Sequence, residues 1–132
     1  MIIYIKVYQF LINLQNKTCD IIQTMITQQL IEFSNQHNLW GKTLEHCVTC
    51  LQEYIHESLP VDFPQLKDIE IDDFMITRKN QSLVFFQDGR STFILRTTYN
   101  IILEQNGFFI VGSYSLDVDS NGKDVDDWLV ME

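Results

Sequence analysis

The sequence predicts an α+β fold, with N-terminal helices laid on one face of a twisted antiparallel β-meander of about five strands. Three observations carry that reading. Two amphipathic stripes at helical spacing occupy the first half of the chain. After Pro64 the apolar period changes from about 3.6 to 2. The alternating runs are then separated by Asp88-Gly89, Asn106-Gly107 and Asn121-Gly122, dipeptides that favour tight hairpin turns because their residues tolerate positive φ. At 132 residues the chain is read as one domain, with 1–58 mainly helical and 67–131 the sheet. A chain of that length buries roughly 68% of its unfolded surface.

In Ile2–Leu14 two periods overlap. Ile3, Val7, Phe10 and Leu14 recur at helical spacing, while Ile3, Ile5 and Val7 alternate as in a strand; the helix is preferred. Asn16-Lys17 is expected to break it, with Thr18 as the N-cap of the next helix and Asp20 in its first turn. Ile22, Met25, Ile26, Leu30 and Phe33 then form an apolar stripe, expected to stop at Leu39-Trp40-Gly41, where glycine can take the left-handed position. Thr43 is expected to cap a further helix with an apolar face of Leu44, Cys47, Val48, Leu51, Tyr54 and Ile55. Pro60 and Pro64 end it, and Ser58–Leu66 is a linker.

The first strand is placed at Ile69–Thr77, followed by a turn at Lys79-Asn80-Gln81 and a second strand at Leu83–Gln87. A turn at Asp88-Gly89 sets Val84 opposite Phe93. The third and fourth strands flank Asn106-Gly107, which pairs Leu103 with Ile110, Ile101 with Gly112 and Tyr99 with Tyr114. Phe93, Leu95, Thr97, Tyr99, Ile101 and Leu103 then share the core face with Phe108, Ile110, Gly112, Tyr114, Leu116 and Val118. In the last hairpin a two-residue Asn121-Gly122 loop sets Val118 against Val125. Continued alternation would put Asp127 against Leu116, so a bulge is expected at Asp126-Asp127, bringing Trp128 to Leu116 and Val130 to Tyr114.

Eighteen acidic residues against nine basic ones give a net charge of −9. That disfavours nucleic-acid binding, which draws its affinity from Lys and Arg on phosphates. It suits an encounter with a basic partner. Three cysteines, Cys19, Cys47 and Cys50, make a poor disulfide framework and point to a reducing, cytoplasmic setting. Cys47 and Cys50 are spaced C-x-x-C, but both fall inside a helical stripe, where packing is the simpler reading than metal or redox chemistry. The apolar N-terminus lacks the features of a signal peptide and is too short to span a bilayer.

Asp117-Val-Asp119-Ser-Asn121-Gly122 matches the first half of a calcium-binding EF-hand loop, but the twelfth position is Trp128 where a carboxylate is required. The doublets Asp72-Asp73 and Asp126-Asp127 point to opposite faces of a strand and so make poor acid–base pairs. No catalytic, cofactor or metal residue is therefore assigned. What remains is two acidic runs, one around Asp72 and Asp73 with Asp62, Asp68 and Glu70, the other from Asp117 through Asp119, Asp124 and Asp126 to Asp127. If they meet in the fold, they form a continuous negative surface, and Asp72, Asp73, Asp117, Asp119, Asp124, Asp126 and Asp127 are its expected partner-binding residues.

Helices first, a meander next, and an ending that runs Gly112-Ser-Tyr-Ser-Leu-Asp-Val-Asp-Ser-Asn-Gly-Lys-Asp-Val-Asp-Asp-Trp-Leu-Val130 together resemble bacterial immunity proteins of contact-dependent inhibition and related polymorphic-toxin systems. The resemblance implies a cytoplasmic, non-catalytic antidote that binds one basic toxin domain, with no nucleic acid, membrane or cofactor involved. A different expectation is a small-ligand or enzymatic pocket between the helices and a curved sheet, as in the NTF2-like superfamily. A secretion chaperone fits less well, because such proteins close with a helix and this chain closes with a strand.

Overall fold

The computed structural model describes residues 2–64, 66, 68–85, 93–104 and 108–132. These divide into two compact units, Met1–His37 and Asn38–Glu132.

The first unit is one helix, α1 (Ile2–Gln36). The expected break at Asn16-Lys17 does not occur, and Thr18 lies inside the helix rather than capping one. Neither Asn nor Lys costs more than ~0.7 kcal/mol in a helix interior, too little to stop a helix already propagating on both sides. Thr24 and Thr27 return their hydroxyls to the carbonyls of Asp20 and Gln23, a bond that competes with water and keeps both residues compatible with the helix.

The stop comes at Asn38, not at Gly41. Asn38 takes the left-handed conformation (φ 49°, ψ 49°), which asparagine tolerates better than most residues, and its carbonyl accepts from Lys42. Leu39, Trp40 and Gly41, expected to end one helix, instead begin α2 (Leu39–Glu57). At Gly41 a Cβ would stand 2.6 Å from the Asn38 side-chain amide, which would have to swing aside. Thr43, expected as a cap, is a turn inside α2 and buried on the stripe Leu39, Thr43, Cys47, Leu51. Ser58 ends α2, and a short helical turn, α3 (Leu59–Asp62), carries Pro60 in its first turn, where no amide is missed.

The described strands number four, in the order β1-β2-β3-β4, all antiparallel: β1 (Phe74–Phe85), β2 (Phe93–Glu104), β3 (Phe108–Val118) and β4 (Asp124–Met131). This corrects the expectation of five. The two strands placed at Ile69–Thr77 and Leu83–Gln87 are parts of one strand over Phe74–Phe85, and Ile71–Asp73, just before it, form a 3-10 turn. Buried-face positions run 74, 76, 78 and then switch phase to 81, 83, 85. Such a phase change fits a turn or a bulge equally. Here the register shift between Arg78 and Asn80 leaves Lys79 unpaired, a bulge, because β2 offers an unbroken partner along the whole length. The β1–β2 register is also one residue from the expected one: Phe85 faces Phe93 and Val84 faces Ile94. The Asp88-Gly89 and Asn106-Gly107 turns lie outside the described residues.

Between β2 and β3 the expected pairs Tyr99–Tyr114 and Ile101–Gly112 are present. Beyond them the register shifts, so Leu103 faces Phe109 rather than Ile110 and Val111 is the bulged residue. In the last hairpin, Asp119 N–H donates to the Lys123 carbonyl and Gly122 N–H to the Asp119 carbonyl, with Gly122 at φ 79°. The loop therefore holds three residues, not two, a turn closed by a left-handed glycine. Val118 faces Asp124, the bulge falls at Val125, and Asp127 does face Leu116. Trp128 and Val130 accordingly stand opposite Ser115 and Ser113 on the other face, not opposite Leu116 and Tyr114.

Helix α2 covers the face of the sheet that carries Leu95, Tyr99, Ile101, Leu103, Tyr114, Leu116 and Val118, all buried. The alternation assigned all seven to the core face; Phe108 and Ile110, expected there too, instead pair with Glu104 and Ile102, because the bulge at Val111 shifts the register. Tyr99 Oη donates to the Trp40 carbonyl at 2.8 Å, the two rings meet edge to face at 5.1 Å, and the Arg78 guanidinium stacks 5.0 Å from the Trp40 ring centre. Each fully buried aliphatic side chain in this layer contributes ~1.5–3 kcal/mol. Leu39, Cys47, Leu51, Ile101, Tyr114 and Leu116 are all buried in this layer.

Candidate functional site

The seven carboxylates expected to bind a partner do not share one surface. Asp117 is on the face of the sheet opposite to α2, 7% exposed, and accepts from Arg96 Nε at 2.9 Å and Nη2 at 3.1 Å. Those two bonds push the Arg96 guanidinium further above its usual range, and the same cation lies 4.6 Å over the Trp128 ring. Asp117 is thus consumed inside the molecule. The partner was legible in the sequence: Arg96 and Asp117 sit opposite each other in the Tyr99–Tyr114 register.

Asp127 points the other way, toward α2. Tyr114 Oη donates to its Oδ2 at 2.5 Å, and Cys50 Sγ lies 3.9 Å from the same oxygen. Sequence reasoning moved this residue off the core face because a carboxylate beside Leu116 should be costly. At the sheet margin it keeps contact with water while a phenol satisfies it, so the cost is small. Burial, and then the hydrogen bond to Asp127, push the Tyr114 hydroxyl far above its ordinary value.

Asp119 binds its own turn, accepting the backbone N–H groups of Asn121 and Lys123, and these donors hold its carboxyl below the ordinary 3.8. Asp124 pairs with Lys42 of α2 at 2.6 Å, and the same ammonium donates to the Gly122 carbonyl. Asp126 is exposed on the Arg96 side and accepts the Asp127 N–H. The five tail carboxylates therefore spread over both faces and the turn, and most have donors of their own.

Asp72 and Asp73 stand at the opposite corner. Asp73 closes a reciprocal cap on the 3-10 turn, accepting the Glu70 N–H at 2.8 Å, while Asp72 is exposed. Phe74, next in the chain, pairs at the Leu103 end of β2, whereas Asp124 to Asp127 lie beside the other end of β3, on the far edge strand. Strand spacing and rise put the two corners roughly 30 Å apart. The continuous acidic surface is not formed.

The first corner keeps the acidic run that the sequence singled out and adds a cavity that it did not. Asp62, Asp68, Glu70 and Asp72 are exposed there, and none of them forms an ion pair among the described residues. Beside them lies a cavity of about 350 Å³ walled by Ile55, Leu59, Pro64, Leu66 and Ile69, with Asp68 at its margin. Nothing in the local pattern marks it, because Ser58–Leu66 reads as linker and only the return of the chain from Pro64 to Ile69 builds the wall.

The C-x-x-C pair offers no activated thiol. Burial pushes Cys47 up to about 12, and Cys50 is raised as well, first by burial and then by the Asp127 charge. A redox nucleophile needs the opposite shift. Among the described residues no three His, Cys, Asp or Glu side chains gather as a metal ion would require, and no helix is long and apolar enough to cross a membrane. No family model, curated protein or solved structure matches the chain.

Proposed function

We propose that this protein is a non-catalytic binding protein that captures a basic protein partner, most concretely an immunity protein that neutralises a cognate bacterial toxin in the cytoplasm. The observation that carries the reading is the acidic corner at residues 59–73. Its exposed carboxylates have no cationic neighbours among the described residues, in contrast to Asp117 and Asp124, which are already paired. Across that stretch five carboxylates, Asp62, Asp68, Glu70, Asp72 and Asp73, stand in the sequence against one cation, Lys67, and such an excess of one sign raises the encounter rate with an oppositely charged protein. The layout shared with immunity proteins supports the same conclusion, and the raised thiols and engaged tail carboxylates supply no reactive group for a competing catalytic reading.

Affinity capture with the full chain from its source cells, with the partner identified and then expressed alone, tests this. The expected result is one dominant basic protein that arrests growth unless this chain is co-expressed, with association slowing as salt is raised. Isolation of an acidic partner, or of a small molecule that the protein turns over, would remove the proposal.

A further inference from the structure

The cavity at the end of α2 joins an apolar interior to an acidic margin, and that combination specifies an occupant. We propose that it seats one large apolar side chain presented by a basic segment of the partner protein. The inference rests on the binding-protein reading above and places the anchoring point of that complex.

Four observations lead to it. The walls are side chains of Ile55, Leu59, Pro64, Leu66 and Ile69, so whatever enters must shed water against carbon. The volume, about 350 Å³, lies at the bottom of the ~300–1,000 Å³ range of small-ligand sites, and it suits a single phenylalanine, leucine or methionine side chain. The surroundings are predominantly acidic: Asp68 is one of the lining residues, and Asp62, Glu70 and Asp72 are exposed on the flanking segments, against the single cation Lys67 in that stretch of sequence. Val61, 76% exposed, adds apolar surface on α3, the same short helix that supplies Leu59 and Pro60 to the lining. A desolvated apolar anchor inside a charged rim is the usual anatomy of a binding hot spot, and here the rim selects lysine or arginine next to the anchor.

The described part of the wall at residues 59–63 is held by backbone hydrogen bonds. Val61 and Asp62 N–H groups donate to the Ser58 carbonyl, Phe63 to Leu59, and Leu66 to Phe63, while Pro60 and Pro64 fix their own backbone angles. A guest therefore has little ordering of this segment to offset on binding. Asp68 lies at φ 66°, a conformation that asparagine shares, so Asp68→Asn removes the charge without changing the backbone demand.

The test titrates the full-length, isotope-labelled protein with the synthetic peptide Lys-Arg-Phe-Lys-Arg and follows amide shifts. Lys-Arg-Ala-Lys-Arg and Glu-Asp-Phe-Glu-Asp serve as controls. The first peptide is expected to shift the amides of Leu59, Leu66 and Ile69 and to bind about tenfold more tightly than either control, the ratio that burying one aromatic side chain provides. Asp68→Asn is expected to weaken it about threefold to tenfold with the melting temperature unchanged. Equal binding of the alanine peptide overturns the anchor, and equal binding of the acidic peptide overturns the charge selection. Shifts confined to Asp119–Asp126 overturn the location while leaving a basic partner in place. Absence of any shift overturns the cavity proposal alone, since the growth-arrest experiment decides the antidote reading independently.

Discussion

At the scale of single residues, two positions in the Asn38–Glu132 unit show where the chain is under constraint. Thr43 Oγ1 is buried with no hydrogen-bond partner among the described residues, whereas Thr49, on the exposed side of the same helix, bonds back to Glu45. A buried hydroxyl left alone costs free energy that a methyl group does not, so Thr43→Val should raise stability by about 1 kcal/mol in denaturant unfolding. Gly112 is constrained by space. A Cβ there would run into the Val130 carbonyl of β4, an unyielding backbone atom, and Gly112→Ala should lose about 3 kcal/mol or detach the last strand. Cys47 adds a pH signature. Its folded-state value, about 12, exceeds the ordinary 9.0, so its contribution is complete below pH 9 and fades as pH rises toward 12. Tyr54 and Tyr114 are raised too and act in the same direction from about pH 10 upward. Stability measured across pH 8–12 should therefore fall steadily, and a flat profile would mean that these groups are solvated in the fold.

Among the elements, β4 is the one held by polar contacts. Lys42 grips Asp124, Tyr114 and Cys50 meet Asp127, and Arg96 stacks on Trp128. Tyr114→Phe removes the phenol that satisfies Asp127 and should cost about 1–3 kcal/mol, with faster amide exchange in β4 before the rest of the sheet. Uniform exchange along all strands would show that β4 is not a separate weak point. The turn before it responds to acid. Asp119 has a lowered pKa in the fold, so its support is present above 3.8 and is lost as pH falls through the lower folded value. Exchange at Asn121 and Lys123 should rise in that window and not above it. The bulges at Lys79 and Val125 also mark the two edge strands, β1 and β4, where an irregular ladder and charged side chains oppose pairing with another sheet.

On the scale of the whole molecule, the Asn38–Glu132 unit carries its own core, from Leu39 through Leu51 and Phe74 to Val118. A chain beginning at Asn38 should unfold in one cooperative transition, checked by calorimetry against circular dichroism. Loss of cooperativity would mean that α1 completes the core. Helix α1 itself exposes Ile21, Ile22, Met25, Ile26 and Ile31. The net charge of −9 sets the long-range behaviour, and association with a basic partner should slow as ionic strength rises.

The chain's own letters determined the α+β class, Cys47 and Leu51 on the buried side of α2, and the two central strands with their buried face as far as Ile101 and Gly112, because these follow from side-chain period and need no distant partner. Leu44, expected on the same stripe, is exposed, and Leu39 and Thr43 take its place. Tyr99 opposite Tyr114 and Arg96 opposite Asp117 follow from that period once a single register is set. Tertiary structure alone decided between turn and bulge at Lys79, moved the last bulge to Val125, turned Asp127 toward Tyr114, and parted the two acidic runs. The physical reason is common to all four. A polar break in an apolar pattern fits several local geometries, and only the strand or helix brought against it selects the one whose hydrogen bonds are satisfied.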